Sequence, residues 1–228
     1  MSELKLVIGN KNYSSWSMRP WVLLSQLGIP FKEVMLKFES QDWADNIARY
    51  SPSGLVPVLW RDINGKQEAV WDTLAIMEAL HEMFPEKNVW PRDPSARTFA
   101  RSISAEMHSG FRDLRNHMPM NIRASHPGKG MNPEVAANIQ RIETLWGEAR
   151  HRFGKSGDFL FGQFSAADAM YAPVVMRFKT HAVALSAPAQ RYCDAMHAAP
   201  GISAWIDGAL KEKEFVTFDE PYATAPQT

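Results

Sequence analysis

Every strand-like run in this chain falls before residue 72, and the periodic segments beyond residue 94 are helical. That division points to a mixed α/β unit packed against an all-helical one. Residues 4–8 (LKLVI) read as a strand ended by Gly9. After the loop NKNYSSWS, Arg19 to Leu27 reads as a helix. Pro20 suits its first turn, where a missing N–H costs little, and Gly28 and Pro30 stop it. Residues 31–38 supply a second strand and complete a βαβ unit. Ser40 can cap a short helix that stops before Ser51-Pro52. Residues 56–61 and 67–71 are two more strands joined around Asn64-Gly65, the pair that a type I′ hairpin turn favours because both central positions need positive φ. Asp72-Thr73 then opens an amphipathic helix running to about Phe84.

The expected order over residues 1–84 is therefore β-α-β-α-β-β-α. Residues 85–94 hold three prolines and read as a linker, and residues 95–228 form the helical part. Helices are expected at 95–124, 133–153, 165–180, 188–199 and 201–210, followed by a polar, proline-containing tail over 215–228.

Composition narrows the function. Lys plus Arg and Asp plus Glu both number 25, so the chain has no general attraction for nucleic acid or anionic lipid. No apolar run approaches the roughly 18 residues of a membrane span. The opening MSELKLVIGN moves straight into strand alternation without a leader pattern. The lone cysteine, Cys193, excludes an intramolecular disulfide framework and a cysteine-rich metal site. These features suggest a cytoplasmic protein without a structural metal and with no nucleic-acid or membrane partner.

Four motifs in order carry a resemblance. Ser14-Ser15-Trp16-Ser17-Met18-Arg19 is similar to an SSCSWR motif with two changes. Leu55-Val56-Pro57-Val58 looks like a cis-proline segment. Asp72-Thr73 stands where an acidic residue and serine open the third helix, and Phe164-Ser165-Ala166-Ala167-Asp168 matches a capping box. Together they resemble the cytosolic glutathione transferase superfamily, with the zeta class nearest in motif. The resemblance implies a thioredoxin-like first domain, an all-helical second domain, glutathione as co-substrate, and a homodimer.

It also implies roles. Such enzymes present the thiolate of glutathione, and a free thiol has pKa near 8.5. Lowering it by two units needs roughly 2.7 kcal/mol of preferential thiolate stabilisation. A hydroxyl donor and a helix N-terminus can both contribute. Ser14 is the first candidate donor, Ser15 the second, and Tyr13 competes. The Val56-Pro57 backbone, held cis, would pair with the cysteinyl part of glutathione. Asp72 and Thr73 would meet its γ-glutamyl end, and Lys37 its glycyl carboxylate. Each also has a plain structural reading: serines before a helix cap it, and Asp72 caps too.

Asp168 is read as a folding residue of the capping box. Ser104, His108, Phe111 and Arg115 share a face at i, i+4, i+7 and i+11 of the expected 95–124 helix and are candidates for the electrophile pocket. Five arginines between 97 and 123 against Glu106 and Asp113 form either a solvated face or a preference for acidic electrophiles. The expected function is conjugation of glutathione to a small hydrophobic electrophile, in keeping with detoxification. The alternatives are a zeta-like cis–trans isomerase of a maleyl-type diketo acid, and a non-catalytic binding protein with the same fold. With no cysteine in the active loop, thiol–disulfide exchange is not expected.

Overall fold

The computed structural model describes residues 3–223. One four-stranded sheet is built from β1 (Leu4–Ile8), β2 (Phe31–Met35), β3 (Val58–Ile63) and β4 (Lys66–Trp71), in the order β2-β1-β3-β4. β1 pairs parallel with β2 and antiparallel with β3, and β3 pairs antiparallel with β4. Asn64 and Gly65 both have positive φ, 54° and 79°, as the hairpin requires. Strand alternation sorts the two faces. Leu6, Ile8 and Leu59 enter the large core, whereas Val7 and Val58 enter a smaller cluster. Trp43, Ile47 and Tyr50 of helix α2 (Gln41–Tyr50) cover that smaller cluster from one side.

Helix α1 (Ser15–Gln26) begins four residues earlier than expected, because Ser14 caps it by accepting from the Ser17 N–H. Pro20 therefore lies inside the helix rather than in its first turn. β2 also stops short of the expected residue 38: Phe38 N donates to Asn10 Oδ1 at 2.7 Å instead of extending the ladder. Val56 and Pro57 precede β3 rather than opening it, and the bond between them is cis. Helix α3 (Thr73–Met83) follows with Asp72 as its cap.

The expected 95–124 helix is two. α4 (Pro94–Ser109) ends at Gly110, and α5 (Arg112–His117) starts after Phe111, whose φ is 56°. A Cβ at Gly110 would lie 2.8 Å from the Glu106 carbonyl oxygen, so the chain turns where only glycine fits. The break puts the Phe111 ring into the core. Four further helices follow: α6 (Pro133–Phe153), α7 (Ala166–Thr180), α8 (Ala187–Ala198) and α9 (Pro200–Leu210).

α7 is the axis of the molecule, with every residue except Lys179 buried. Its start is the expected capping box. Asp168 accepts from Ser165 N and Oγ, Leu160 N and Tyr192 Oη, all between 2.9 and 3.1 Å. Burial nevertheless lifts its carboxyl to about 6, against the pull of those four donors. α1 packs on α7 and α9. Gly201 of α9 meets α1 closely enough that a Cβ would sit 3.0 Å from both Val22 O and Gln26 N. A single apolar cluster runs from Leu4 to Trp205 through both units. No helix among the described residues is long and apolar enough to cross a membrane, and no cluster of metal-binding side chains occurs among them. Residues 224–228 of the expected tail lie outside the described residues.

Candidate active site

Two adjoining cavities meet at Trp16 and the Leu55-Val56 segment. The smaller, about 390 Å³, is lined by Trp16, Val56, Pro57, Asp72, Thr73 and His108, among others. The larger, about 630 Å³, includes Tyr13, Ser14, Ser15, Arg115, Arg177 and Asp219 in its wall. Six of the seven expected glutathione-site and catalytic residues, all but Lys37, thus come together around Trp16. The Lys37 ammonium pairs with the Glu214 carboxylate, and Lys37 lines neither cavity.

The α1 start explains the serines. Ser14, at the cap, and Ser15, at the first helical position, lie where the helix dipole favours negative charge. Ser14 Oγ donates to Ser17 Oγ at 2.7 Å. Ser15 makes no side-chain hydrogen bond among the described residues, so both hydroxyls remain candidate donors. Tyr13 is differently committed. Its phenol donates to Glu220 Oε1 at 2.6 Å and accepts from Arg123 Nη2 at 3.1 Å. Burial, with the Glu220 bond, pushes its pKa up to about 12.

In the smaller cavity Asp72 Oδ1 accepts from Leu74 N at 2.9 Å, while Oδ2 lies 3.3 Å from His108 Nε2. Asp72 holds φ 71°, uncommon for a residue with a side chain, which tips its carboxylate over the helix start. The Thr73 hydroxyl is buried and has no partner among the described residues, nor does His108 Nδ1. An orphaned buried hydroxyl at a helix N-terminus fits an incoming carboxylate.

Of the four expected electrophile contacts, only Arg115 lines the larger cavity. His108 faces the smaller one. Ser104 is fully buried within α4 itself and lines neither cavity, whereas Phe111 belongs to the core because the break at Gly110 takes it off the α4 face. Arg177, unremarked in the sequence, joins Arg115 in the wall of the larger cavity. Its guanidinium donates from Nε to Met118 O at 2.8 Å, leaving Nη1 without a partner among the described residues. Burial, reinforced by Arg115, lowers its pKa to about 10. Asp219 comes from the segment after α9, and burial lifts it to about 7 despite the opposing pull of Arg177. An arginine inside a helix gives no periodic signal of its own. Asp219 could not be assigned because the tail has no periodicity to fix its path.

Trp16 forms the partition between the cavities. The Arg19 guanidinium lies 4.3 Å from its ring centre, Arg115 lies 5.5 Å away, and His108 meets it edge-on at 5.2 Å. Cys193 is remote from this site, and burial pushes its thiol up to about 12.

Known proteins carry the same plan. Residues 13–83 match the family described as "Glutathione S-transferase, N-terminal domain", and residues 132–208 match "Glutathione S-transferase, C-terminal domain". The chain is 23% identical over 176 residues to a probable maleylacetoacetate isomerase of Caenorhabditis elegans, covering 75% of this chain and 80% of that protein. It is 33% identical over 106 residues to the maleylacetoacetate isomerase of Mus musculus, covering 45% of this chain and 47% of that one. Among solved structures, a Burkholderia glutathione transferase homolog with bound glutathione superposes with TM-score 0.69 at 19% identity, covering 92% of this chain and all of that one, 100%. The maleylacetoacetate isomerase of Anaeromyxobacter dehalogenans, with glutathione in its active site, gives TM-score 0.64 at 20% identity, covering 90% of this chain and 96% of that one. With both family domains matched in chain order over more than half of its length, this chain belongs to the glutathione S-transferase superfamily.

Proposed function

We propose that the protein is a glutathione transferase in which a serine at the start of α1 holds the glutathione thiolate for attack on a small electrophile. The observation that carries this reading is the position of Ser14 and Ser15, at the cap and first residue of a helix, in the wall of a cavity of about 630 Å³. The sulfur's negative charge would be favoured there by hydroxyl donation and the helix dipole acting together. On this reading the γ-glutamyl carboxylate meets Thr73 and the α3 start, Asp72 meets the ammonium, and the Val56-Pro57 backbone meets the cysteinyl unit. The Lys37 contact to the glycyl carboxylate would require exchange with Glu214. The family resemblance supports a homodimer acting in the cytoplasm in detoxification.

A second reading has a specific observation in its favour. Arg115 and Arg177 give the larger cavity two cationic groups, which suit an acidic substrate. Reversible addition of the thiolate to a conjugated double bond, rotation about the resulting single bond and elimination of the thiolate would isomerise a maleyl-type diketo acid.

The test is the pKa of bound glutathione, read from thiolate ultraviolet absorbance. Ser14→Ala should raise it by about one unit or more, and Ser15→Ala by less. If both variants left the thiol pKa at the wild-type value, the serine reading would be wrong. Turnover of a neutral aromatic electrophile against that of a maleyl-type diacid separates conjugation from isomerisation.

A further inference from the structure

Ser17 is fully buried on the first turn of α1. Its hydroxyl oxygen accepts twice, from Ser14 Oγ at 2.7 Å and from Gly9 N at 3.1 Å. With both lone pairs used, its own proton has no acceptor among the described residues other than the Ser14 oxygen. Gly9 is fixed in this approach, because a Cβ there would lie 2.3 Å from the Phe38 ring.

We infer that Ser17 is a positioning residue for the thiolate, acting through Ser14 by exchange of the donor between two hydroxyls. The inference rests on Ser14 being the sulfur's donor. Without the thiolate, the Ser14 proton lies on the Ser17 side. When the sulfur anion binds, the Ser14 O–H turns to it. That frees a lone pair on Ser14, and the Ser17 O–H turns to fill it. The result is a chain of donors running from Gly9 N–H to Ser17, from Ser17 to Ser14, and from Ser14 to sulfur. The oxygens need not move, no hydrogen bond within the serine pair is lost, and no proton changes owner. Only the two O–H rotors turn. Each donor in such a chain polarises the next, and a low-dielectric site strengthens the effect. The Gly9 amide, at the end of β1, thereby couples the sheet to the chemistry.

The test is a double-mutant cycle on the thiol pKa of bound glutathione, with Ser17→Ala, Ser14→Ala and the double variant. Ser17→Ala should raise the thiol pKa by about half to one unit, a roughly threefold to tenfold fall in the acid dissociation constant of the bound thiol. Added to Ser14→Ala it should change nothing further, because its route to the sulfur is already cut. Ser17→Thr, which keeps the hydroxyl, should restore most of the wild-type value and serves if the alanine variant fails to fold. An unchanged or lowered pKa in folded Ser17→Ala would overturn the inference. So would an equal shift in both backgrounds, or Ser17→Thr behaving as Ser17→Ala. If Ser14→Ala itself leaves the pKa unmoved, the fault lies in the underlying serine reading, and Ser17 falls with it.

Discussion

The Tyr13 phenol and the Glu220 carboxylate are 2.6 Å apart, so the one acidic hydroxyl of the active loop is bound to the C-terminal segment. With its pKa pushed up to about 12, mainly by burial and then by Glu220, it is a poor donor to a thiolate. Tyr13→Phe should leave the pKa of bound glutathione within a few tenths of a unit of wild type. It should cost about 1–3 kcal/mol of stability, because Glu220 and Arg123 each lose a partner. Chemical denaturation read beside the thiolate absorbance checks both halves, and a raised thiol pKa would return Tyr13 to the list of donors.

Asp168 accepts four hydrogen bonds inside a fully buried capping box. Asp168→Ala should lose about 3 kcal/mol or more, since Leu160 N and Tyr192 Oη are left buried without acceptors. An unaltered melting curve would contradict this. Because burial lifts the folded-state carboxyl from 3.8 to about 6, its contribution has a definite sign. It is full below about pH 4 and declines as pH rises through 6. The stability gap between wild type and Asp168→Asn should therefore shrink over that interval.

Asp219 at about 7 sets a second pH effect, this one in the larger cavity. The group is largely neutral at pH 6 and anionic at pH 8. The ratio of kcat/KM for a carboxylate-bearing electrophile to that for a neutral one should fall as pH rises through 7, because an ionised Asp219 opposes the attraction of Arg177. Taking the ratio cancels titration of the glutathione thiol. Asp219→Asn should flatten the ratio, and a wild-type ratio already flat from pH 6 to 8 would refute the effect.

The same ratio probes the arginines. Arg115→Gln should lower turnover of an acidic electrophile by about tenfold relative to a neutral one, the worth of one partly solvated charge-assisted hydrogen bond. Equal losses on both substrates would mean that Arg115 only supports the cavity wall.

His108 lies against Asp72 and the smaller cavity. His108→Ala should raise the KM for glutathione by about threefold to tenfold while leaving kcat nearly unchanged, as removal of uniform binding does. A fall in kcat with KM constant would instead tie His108 to the chemical step.

Local signals made much of this fold legible. Asn64-Gly65 announced its hairpin because its conformation depends on two residues, and the Ser165–Asp168 box announced α7 because both of its hydrogen bonds are local. The failures are equally physical. Pro20 suggested a helix start when the true cap, Ser14, stood in a serine-rich loop with several possible caps. Apolar periodicity continues across Gly110, so the expected 95–124 helix runs through it, although Gly110 and Pro119 both disfavour helix; the Glu106 carbonyl shows why the chain must turn there. That break took Phe111 off the expected face, while Ser104 lies on the buried side of α4 itself. The meeting of Asp72 with His108, and the sharing of one cavity wall by Ser14 and Arg177, depend on how distant helices pack, which no spacing within one segment encodes.

The close seating of Gly201 on the α1 backbone has a consequence for engineering. A chimera that grafts the helical half of a relative onto residues 1–84 must supply a glycine at that point, or the α1 and α9 axes will be wedged apart and the serine-bearing turn displaced with them. Grafted specificity in this scaffold would then hinge on a seam far from any substrate.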